Sequence, residues 1–269
     1  MSIKTANPTF VLQPYIKQYW CIENVLPDGE KHLQRIIPSG LAELSLYIGN
    51  RPKVIGSKKD FENNFILSGQ QQEFYDLQIE KDLSVFSIVF QPQGLMTFFH
   101  FPLIELCNKS VPLKYLNRNL EQEILPRITN EPSFEKRIQI IERYFCDLLK
   151  EEHNKYNFAR IDHTIKTIRQ TQGKISINNL ASETCLCRKQ FERKFSELIG
   201  ITPKKYLKIV RFQSALYLKS RNKNLNITEL AYELGYYDQA HFISEFKRLT
   251  GFTPKQYFDQ NTAYSDFFE

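Results

Sequence analysis

ISINNLASETCLCRKQFERKFSELIGITPKKYL, residues Ile175 to Leu207, is written a second time as ITELAYELGYYDQAHFISEFKRLTGFTPKQYF, residues Ile227 to Phe258. Superposed, Ile177, Leu180, Ala181 and Glu183 fall on Ile227, Leu230, Ala231 and Glu233. After a one-residue insertion in the second copy the register resumes, and Phe191, Phe195, Leu198, Gly200, Thr202, Pro203 and Tyr206 fall on Phe242, Phe246, Leu249, Gly251, Thr253, Pro254 and Tyr257. A register held over that length makes each copy one structural unit.

The residue types say what the unit is. Leu180 and Ala181, like Leu230 and Ala231, suit the inner face of a short helix, with Ala small enough for a second helix to cross closely, as a helix-turn-helix requires. Gly235 follows the second short helix, where a left-handed cap is cheapest without a Cβ, and Asp238 can cap the next helix. The first copy has Cys185 and Cys187 in its turn, so its caps are poorer. Phe191 and Phe195, or Phe242 and Phe246, give the following helix an apolar side at i, i+4 and leave its opposite side polar and free. Gly200 and Gly251 stop that helix, and Thr202-Pro203 or Thr253-Pro254 starts another with Thr as cap and Pro in the first turn. Between the units, Tyr206, Ile209, Phe212 and Leu216 form a stripe on one long helix that fixes their separation. Probe helices entering successive major grooves of B-DNA must sit roughly 34 Å apart.

At these residues the chain resembles the AraC/XylS family of transcriptional regulators, whose DNA-binding domain is two such motifs joined by a helix. The resemblance covers about the last 110 residues. It implies promoter or operator DNA as partner, a homodimer, a small-molecule effector bound by an N-terminal cupin-like sensor, and RNA polymerase as a further partner.

Charge points to DNA independently. The net charge of +6 is uneven: residues 155–258 hold 19 Lys and Arg against 8 Asp and Glu, residues 1–154 hold 17 against 19, and the final eleven residues carry 3 acids and no base. A polyanion is the natural partner of such a repeat, and phosphate neutralisation supplies most non-specific affinity. No run of 18 apolar residues occurs, so neither a transmembrane helix nor a membrane partner is expected. MSIKTANPTF has no apolar core of a signal peptide. Five scattered cysteines (Cys21, Cys107, Cys146, Cys185, Cys187) fit a reducing cytoplasm better than a disulfide framework. Cys185-x-Cys187 has no further ligands at zinc spacing, so no metal and no cofactor are expected.

Residues 10–100 read as strands. Ile16 to Ile22, Leu44 to Ile48, Asn64 to Leu67, Phe74 to Ile79 and Val85 to Phe90 are short apolar or alternating stretches separated by Gly, Pro, Asn and Asp signals. They suggest a β barrel or sandwich, cupin-like by the resemblance, and an α+β chain overall. Pro38-Ser39-Gly40 and the turn Gln91 to Gly94 look like this class of regulator domain. Tyr19, Trp20, Tyr47, Phe86 and Phe90 are either the lining of an effector cavity or ordinary barrel core. His32 and His100 alone do not assemble a metal-cupin ligand set, and catalytic fingerprints are missing, so the expectation is not an enzyme. The alternative is a small-molecule-modifying cupin-like enzyme fused to a DNA-binding domain. A third reading has the β domain bind nothing and only dimerise.

Leu103 to Leu106 reads as a short closing helix, and Leu120 to Ile128 as another, ended near Pro126. Residues 133–150 form the clearest helix outside the repeat. Its seam of Phe134, Ile138, Ile141, Phe145 and Leu148, with free polar flanks at Lys136, Arg137, Glu142 and Arg143, suits either dimerisation or packing on its own barrel. The organisation expected is a sensor and dimerisation domain over 1–150, a polar linker over 151–159, a DNA-binding domain over 160–258 and a tail over 259–269. With the phenylalanines inward, Arg188, Lys189, Glu192 and Arg193 face outward on the first probe helix, and Gln239, Ala240, His241 and Ser244 on the second. Arg reads guanine, Glu accepts from cytosine, Gln pairs with adenine and Ala meets a thymine methyl, so Arg193 and Lys189 lead as base contacts. Arg188, Lys194, Arg211, Lys247 and Lys255 fit phosphate contacts or solvated charges. His241 is either a base contact or a surface histidine.

Overall fold

Alternation along one strand explains how the N-terminal half is layered. In β2 (Ile16–Asn24), Tyr19 and Cys21 join the core on one side of the sheet, while Trp20 and Ile22 pack on the other. Period-2 side chains give a sheet two distinct faces in this way. The computed structural model describes residues 2–24, 30–56, 63–80, 82–151 and 155–259. With β1 (Ser2–Ala6), β4 (Glu43–Tyr47), β6 (Phe65–Ser68), β8 (Leu83–Phe90) and β9 (Ser110–Pro112), β2 forms a six-stranded sheet in the order β1-β2-β8-β4-β6-β9. A second sheet, β3-β7-β5, is built from β3 (His32–Ile36), β5 (Lys53–Val54) and β7 (Tyr75–Ile79). All pairings are antiparallel. Ile22, Tyr47, Ile66, Ile79, Leu83 and Val85 fill the space between the sheets, with Trp20, Val54 and Leu77 against them.

The outer face of the large sheet is covered by helices. A short α1 (Leu95–Phe98), a 3-10 turn over Leu103–Leu106, α2 (Leu125–Thr129) and α3 (Phe134–Glu151) pack there. The seam read from the sequence is used up here: Phe134, Ile141 and Phe145 are buried, and Ile138 and Leu148 pack against the same core. Two of the flanks expected to be free are not. Arg137 is buried and donates to the Glu131 carbonyl at 2.6 Å, and buried Glu142 accepts from the Thr9 amide at 2.8 Å. Both lie one position from the seam, on the shoulder where a helix meets its sheet.

The helical half comprises α4 (Lys155–Gln170), α5 (Ile177–Glu183), α6 (Arg188–Ile199), α7 (Pro203–Arg221), α8 (Ile227–Glu233), α9 (Gln239–Thr250) and α10 (Pro254–Asp259). Its core takes Leu180, Ala181, Phe191 and Phe195 from the first unit, Leu230, Ala231, Phe242 and Phe246 from the second, and Tyr206, Ile209 and Phe212 from α7 between them.

Several local expectations shift. β1, β3, β5 and β9 were not anticipated; they are short, at sheet edges, or only partly buried, so their apolar pattern is weak. Pro126 does not end a helix: a π turn over Leu120–Ile124 leads into α2 with Pro126 in its first turn, where a missing N–H costs nothing. α4 starts at Lys155, inside the stretch read as linker; residues 152–154 of that stretch, and 260–269 of the tail, lie outside the described residues.

Candidate nucleic-acid interface

Each probe helix is set by a turn whose backbone is the same in both units. In the first, the Leu186 amide donates to the Ala181 carbonyl at 3.1 Å; in the second, the Tyr236 amide donates to the Ala231 carbonyl at 3.0 Å. The tight turn needs positive φ just before that anchor, supplied by Cys185 at +54° and Gly235 at +74°. α9 is then capped by Asp238, whose carboxylate accepts from the His241 amide at 2.7 Å, whereas Cys187 makes no side-chain cap for α6. Gly200 (φ +92°) and Gly251 (φ +80°) end the two helices in the left-handed conformation.

The side chains expected to read DNA are accessible. Arg188, Lys189 and Arg193 on α6 and Gln239, Ala240, His241, Ser244 and Lys247 on α9 are exposed, and Glu192 and Lys194 are half-buried. On α6, Arg188 pairs with Glu192 at 2.9 Å and Arg193 with Glu197 at 3.0 Å. Exposed i, i+4 pairs of this kind contribute at most about 0.5 kcal/mol, so a base or phosphate competes for either arginine at little cost. The face of α9 is nearly uncharged near its start, where Gln239, Ala240 and Ser244 offer amide, methyl and hydroxyl groups.

A buried cluster that the sequence reading missed holds α9 in place. Glu245 is buried; it accepts from the Tyr236 hydroxyl at 2.7 Å and pairs with Lys208 of α7, with the His241 imidazole 3.9 Å away. Burial raises the Glu245 pKa, but Lys208, Tyr236 and Arg211 outweigh it and hold the carboxyl below its ordinary value. Arg211 also lies over the Tyr236 ring at 4.9 Å. The signal was present: Glu245 is a charge on the apolar side of a helix, beside Phe242, Phe246 and Leu249.

The β-rich half touches this region at the C-terminal ends of the probe helices. Arg35 of β3 donates to the Thr250 carbonyl at 3.0 Å, makes two bonds to Asp76 at 2.7 and 2.8 Å, and lies between the rings of Phe74 and Phe252 at 4.2 and 4.5 Å. A Cβ at Gly251 would come within 2.6 Å of the Arg35 guanidinium, and one at Gly200 within 3.0 Å of the Leu103 carbonyl. Gln213 of α7 donates to the Pro38 carbonyl at 2.7 Å, Lys205 to Gln72, and Gln93 to Asp162 of α4 at 2.8 Å. Pro38-Ser39-Gly40, noted in the sequence only for its likeness to this class of regulator domain, therefore contacts the helical half through its Pro38 carbonyl. Arg188 and Gln239 begin helices of 12 residues, about 18 Å long, so their N-terminal ends lie a helix length from the docked ends.

Of the aromatics considered for an effector site, the sheet faces separate two from three. Trp20 and Tyr47 lie between the sheets. Tyr19 and Phe86 lie on the opposite face, stacked at 6.3 Å in the core under α3, with Phe86 edge-on to Phe134 at 5.9 Å. Phe90 is in that same core. Among the described residues no three His, Cys, Asp or Glu side chains come together as a metal site, and no helix is long and apolar enough to cross a membrane.

Comparison with known proteins agrees with this geometry. Residues 180–260 match the family model of a helix-turn-helix domain, and residues 4–112 that of a domain of unknown function, DUF6597. A helix-turn-helix transcriptional regulator of Haemophilus influenzae is 34% identical over 93 residues, 35% of this chain and 31% of that one. The regulator YdeC of Bacillus subtilis is 30% identical over 89 residues, 33% of this chain and 30% of its own. The chain thus spans about a third of the length of these relatives. ToxT of Vibrio cholerae, at 12% identity and a TM-score of 0.50, shares the fold over 90% of this chain and 98% of its own. With the duplicated turn, the two accessible probe helices and these matches, residues 180–260 are a helix-turn-helix domain of the AraC type.

Proposed function

We propose that the protein is a sequence-specific, DNA-binding transcriptional regulator of the cytoplasm whose β-rich half senses a small molecule. The observation that carries this is the pair of probe helices: their outward faces are open along the base-reading residues, while the β-rich half grips both at their C-terminal caps. The relatives named as transcriptional regulators support it. Arg193 and Lys189 are the leading base contacts on α6, Gln239 and Ala240 on α9, and Arg188, Lys194 and Lys247 are assigned to phosphate.

The route from sensor to DNA runs through β3 and β7. Tyr75 and Leu77 point between the sheets, and the intervening Asp76 points outward to Arg35 and the end of α9. A ligand that moves Tyr75 therefore moves the partner of Arg35. That shifts the population of docked and released probe helices by its differential affinity for the two. The proposal includes a homodimer formed through a surface other than the α3 seam, which its own sheet occupies, and RNA polymerase as the partner whose access the bound protein controls.

Selection of duplexes from a random pool by the full chain tests the reading. It should return a defined site with binding that weakens steeply as salt rises. Arg35→Ala should change the affinity for that site without changing the sequence selected. Recovery of no consensus, or binding indifferent to salt, would refute the assignment.

A further inference from the structure

Between the two sheets lies the carboxyl group of Glu43, which forms no ion pair among the described residues. Glu43, Ser45 and Tyr47 share the inner face of β4, and across the ladder Ser45 opposes Ser87, which opposes Trp20. Ser87 donates to Ser45 at 3.2 Å. Glu43 Oε1 is fully buried and has no hydrogen-bond partner, and Glu43 forms no ion pair among the described residues. Tyr75 faces the same space from β7, and its phenol, like that of Tyr47, is raised by burial and by the nearby Glu43 charge. Glu43, Trp20 and Tyr75 are each only half-buried, so this group is not sealed from solvent.

Other charged and titratable groups on the surrounding strands face elsewhere. Asp76 and Arg35 point outward to each other, Lys53 pairs with Glu80, and Lys4 of β1 is in register with Cys21 on the other face. His32 is exposed at the far end of β3, opposite Ile79. Burial pushes the Glu43 carboxyl up to about 7, against the smaller opposing pull of Ser87, Trp20 and Ser45. A cation beside this carboxyl would favour its ionised form.

A buried anion is costly without a counter-charge, and aromatic faces attract cations through their quadrupoles. We propose that the ligand sensed between the sheets is a small organic cation, an amine or quaternary ammonium, held by the Glu43 carboxylate and the rings of Trp20, Tyr47 and Tyr75. This rests on the reading of the β-rich half as a sensor and specifies its ligand class. Where Glu43 is ionised, it repels a fatty-acid-like anion at close range.

Trp20 is the single tryptophan of the chain, so its fluorescence reports on this site alone. Choline, its neutral isostere 3,3-dimethylbutan-1-ol, and decanoate are titrated into the full chain, with thermal unfolding as a second readout. Choline should alter Trp20 emission and raise the melting temperature, and should bind at least about tenfold more tightly than the neutral isostere. Its binding should weaken about thirtyfold from about pH 8 to about pH 5.5, as the carboxyl takes up its proton. Glu43→Gln should remove both the preference and the pH dependence. In the free protein the sign is opposite: a folded pKa raised above 4.5 gives stability that is lost as pH rises toward about 7. Glu43→Gln should abolish that loss too. Should decanoate or the neutral isostere bind as well as choline, the cation assignment falls and the sensor reading stands. Should none of the three perturb Trp20 or the melting temperature, both fall. The choline-to-isostere ratio is read on the unmodified chain, so the test survives a poorly folding variant.

Discussion

In the first helix-turn-helix unit the turn is closed by Cys185 in a left-handed conformation and the probe helix starts at Cys187 with no side-chain cap; in the second, Gly235 closes the turn and Asp238 caps. The extra residue of the second unit is Tyr237, 89% exposed, inserted between the turn anchor and the cap. α8 opens with a reciprocal capping box of Asn226 and Glu229, whereas Ser176 caps α5 alone. At the position where α9 buries Glu245, α6 carries half-buried Lys194. One backbone is therefore specified locally in the second unit and by packing in the first. The first in turn places more charge on its probe helix.

The largest expected difference lies in the buried cluster. Lys208→Ala leaves the Glu245 carboxylate buried without its cation and should cost about 3 kcal/mol of stability. Lys194→Ala, at the matching place in the first unit, should stay within about 0.5 kcal/mol. Urea unfolding followed by circular dichroism measures both. Equal costs would mean that the Glu245 cluster is not what fixes α9.

Next in size is the division of labour on DNA. Arg193→Ala should weaken binding to the selected site by ~1–3 kcal/mol and leave non-specific duplex nearly untouched. Lys247→Ala should weaken all sequences alike and lower the salt slope by about one. Because α6 carries Arg188, Lys189 and Arg193 where α9 carries Gln239, Ala240 and Ser244, neutralising α6 should flatten the salt dependence more than any change at the start of α9. Equal loss on both DNAs for Arg193→Ala would reassign that residue to phosphate.

What the sequence made legible follows the range of the forces involved. The probe helices, their glycine stops and the Asp238 and Thr202 caps depend on neighbours within four residues, and each is found where the spacing puts it. The Arg35 contact joins residues 215 apart, and no local pattern announces it. The aromatics left open between cavity lining and core are divided by parity: Trp20 and Tyr19, like Ser87 and Phe86, are adjacent, and a one-residue shift exchanges the faces of a strand. Composition identifies such rings, but only the registry of β2 and β8 says which space they line. The α3 seam was visible as a seam. Which surface it meets was not, because the same stripe fits a sheet or a second helix.

The smallest effects test whether the first unit is under-specified. Cys187→Ser supplies a hydroxyl to the uncapped start of α6 and should stabilise by ~0.5–1 kcal/mol, without adding a negative charge beside Arg188. Cys185→Gly removes a Cβ from a left-handed residue, a relief of about 1 kcal/mol partly offset by the greater freedom of glycine in the unfolded chain. The reverse changes in the second unit, Asp238→Ala and Gly235→Ala, should each lose about 1 kcal/mol. The signs matter more than the sizes: the substitutions make the first unit resemble the second and the second resemble the first. Destabilisation by Cys185→Gly would show that the cysteine side chain packs usefully in the turn, and the two units would then be equally well determined by different means.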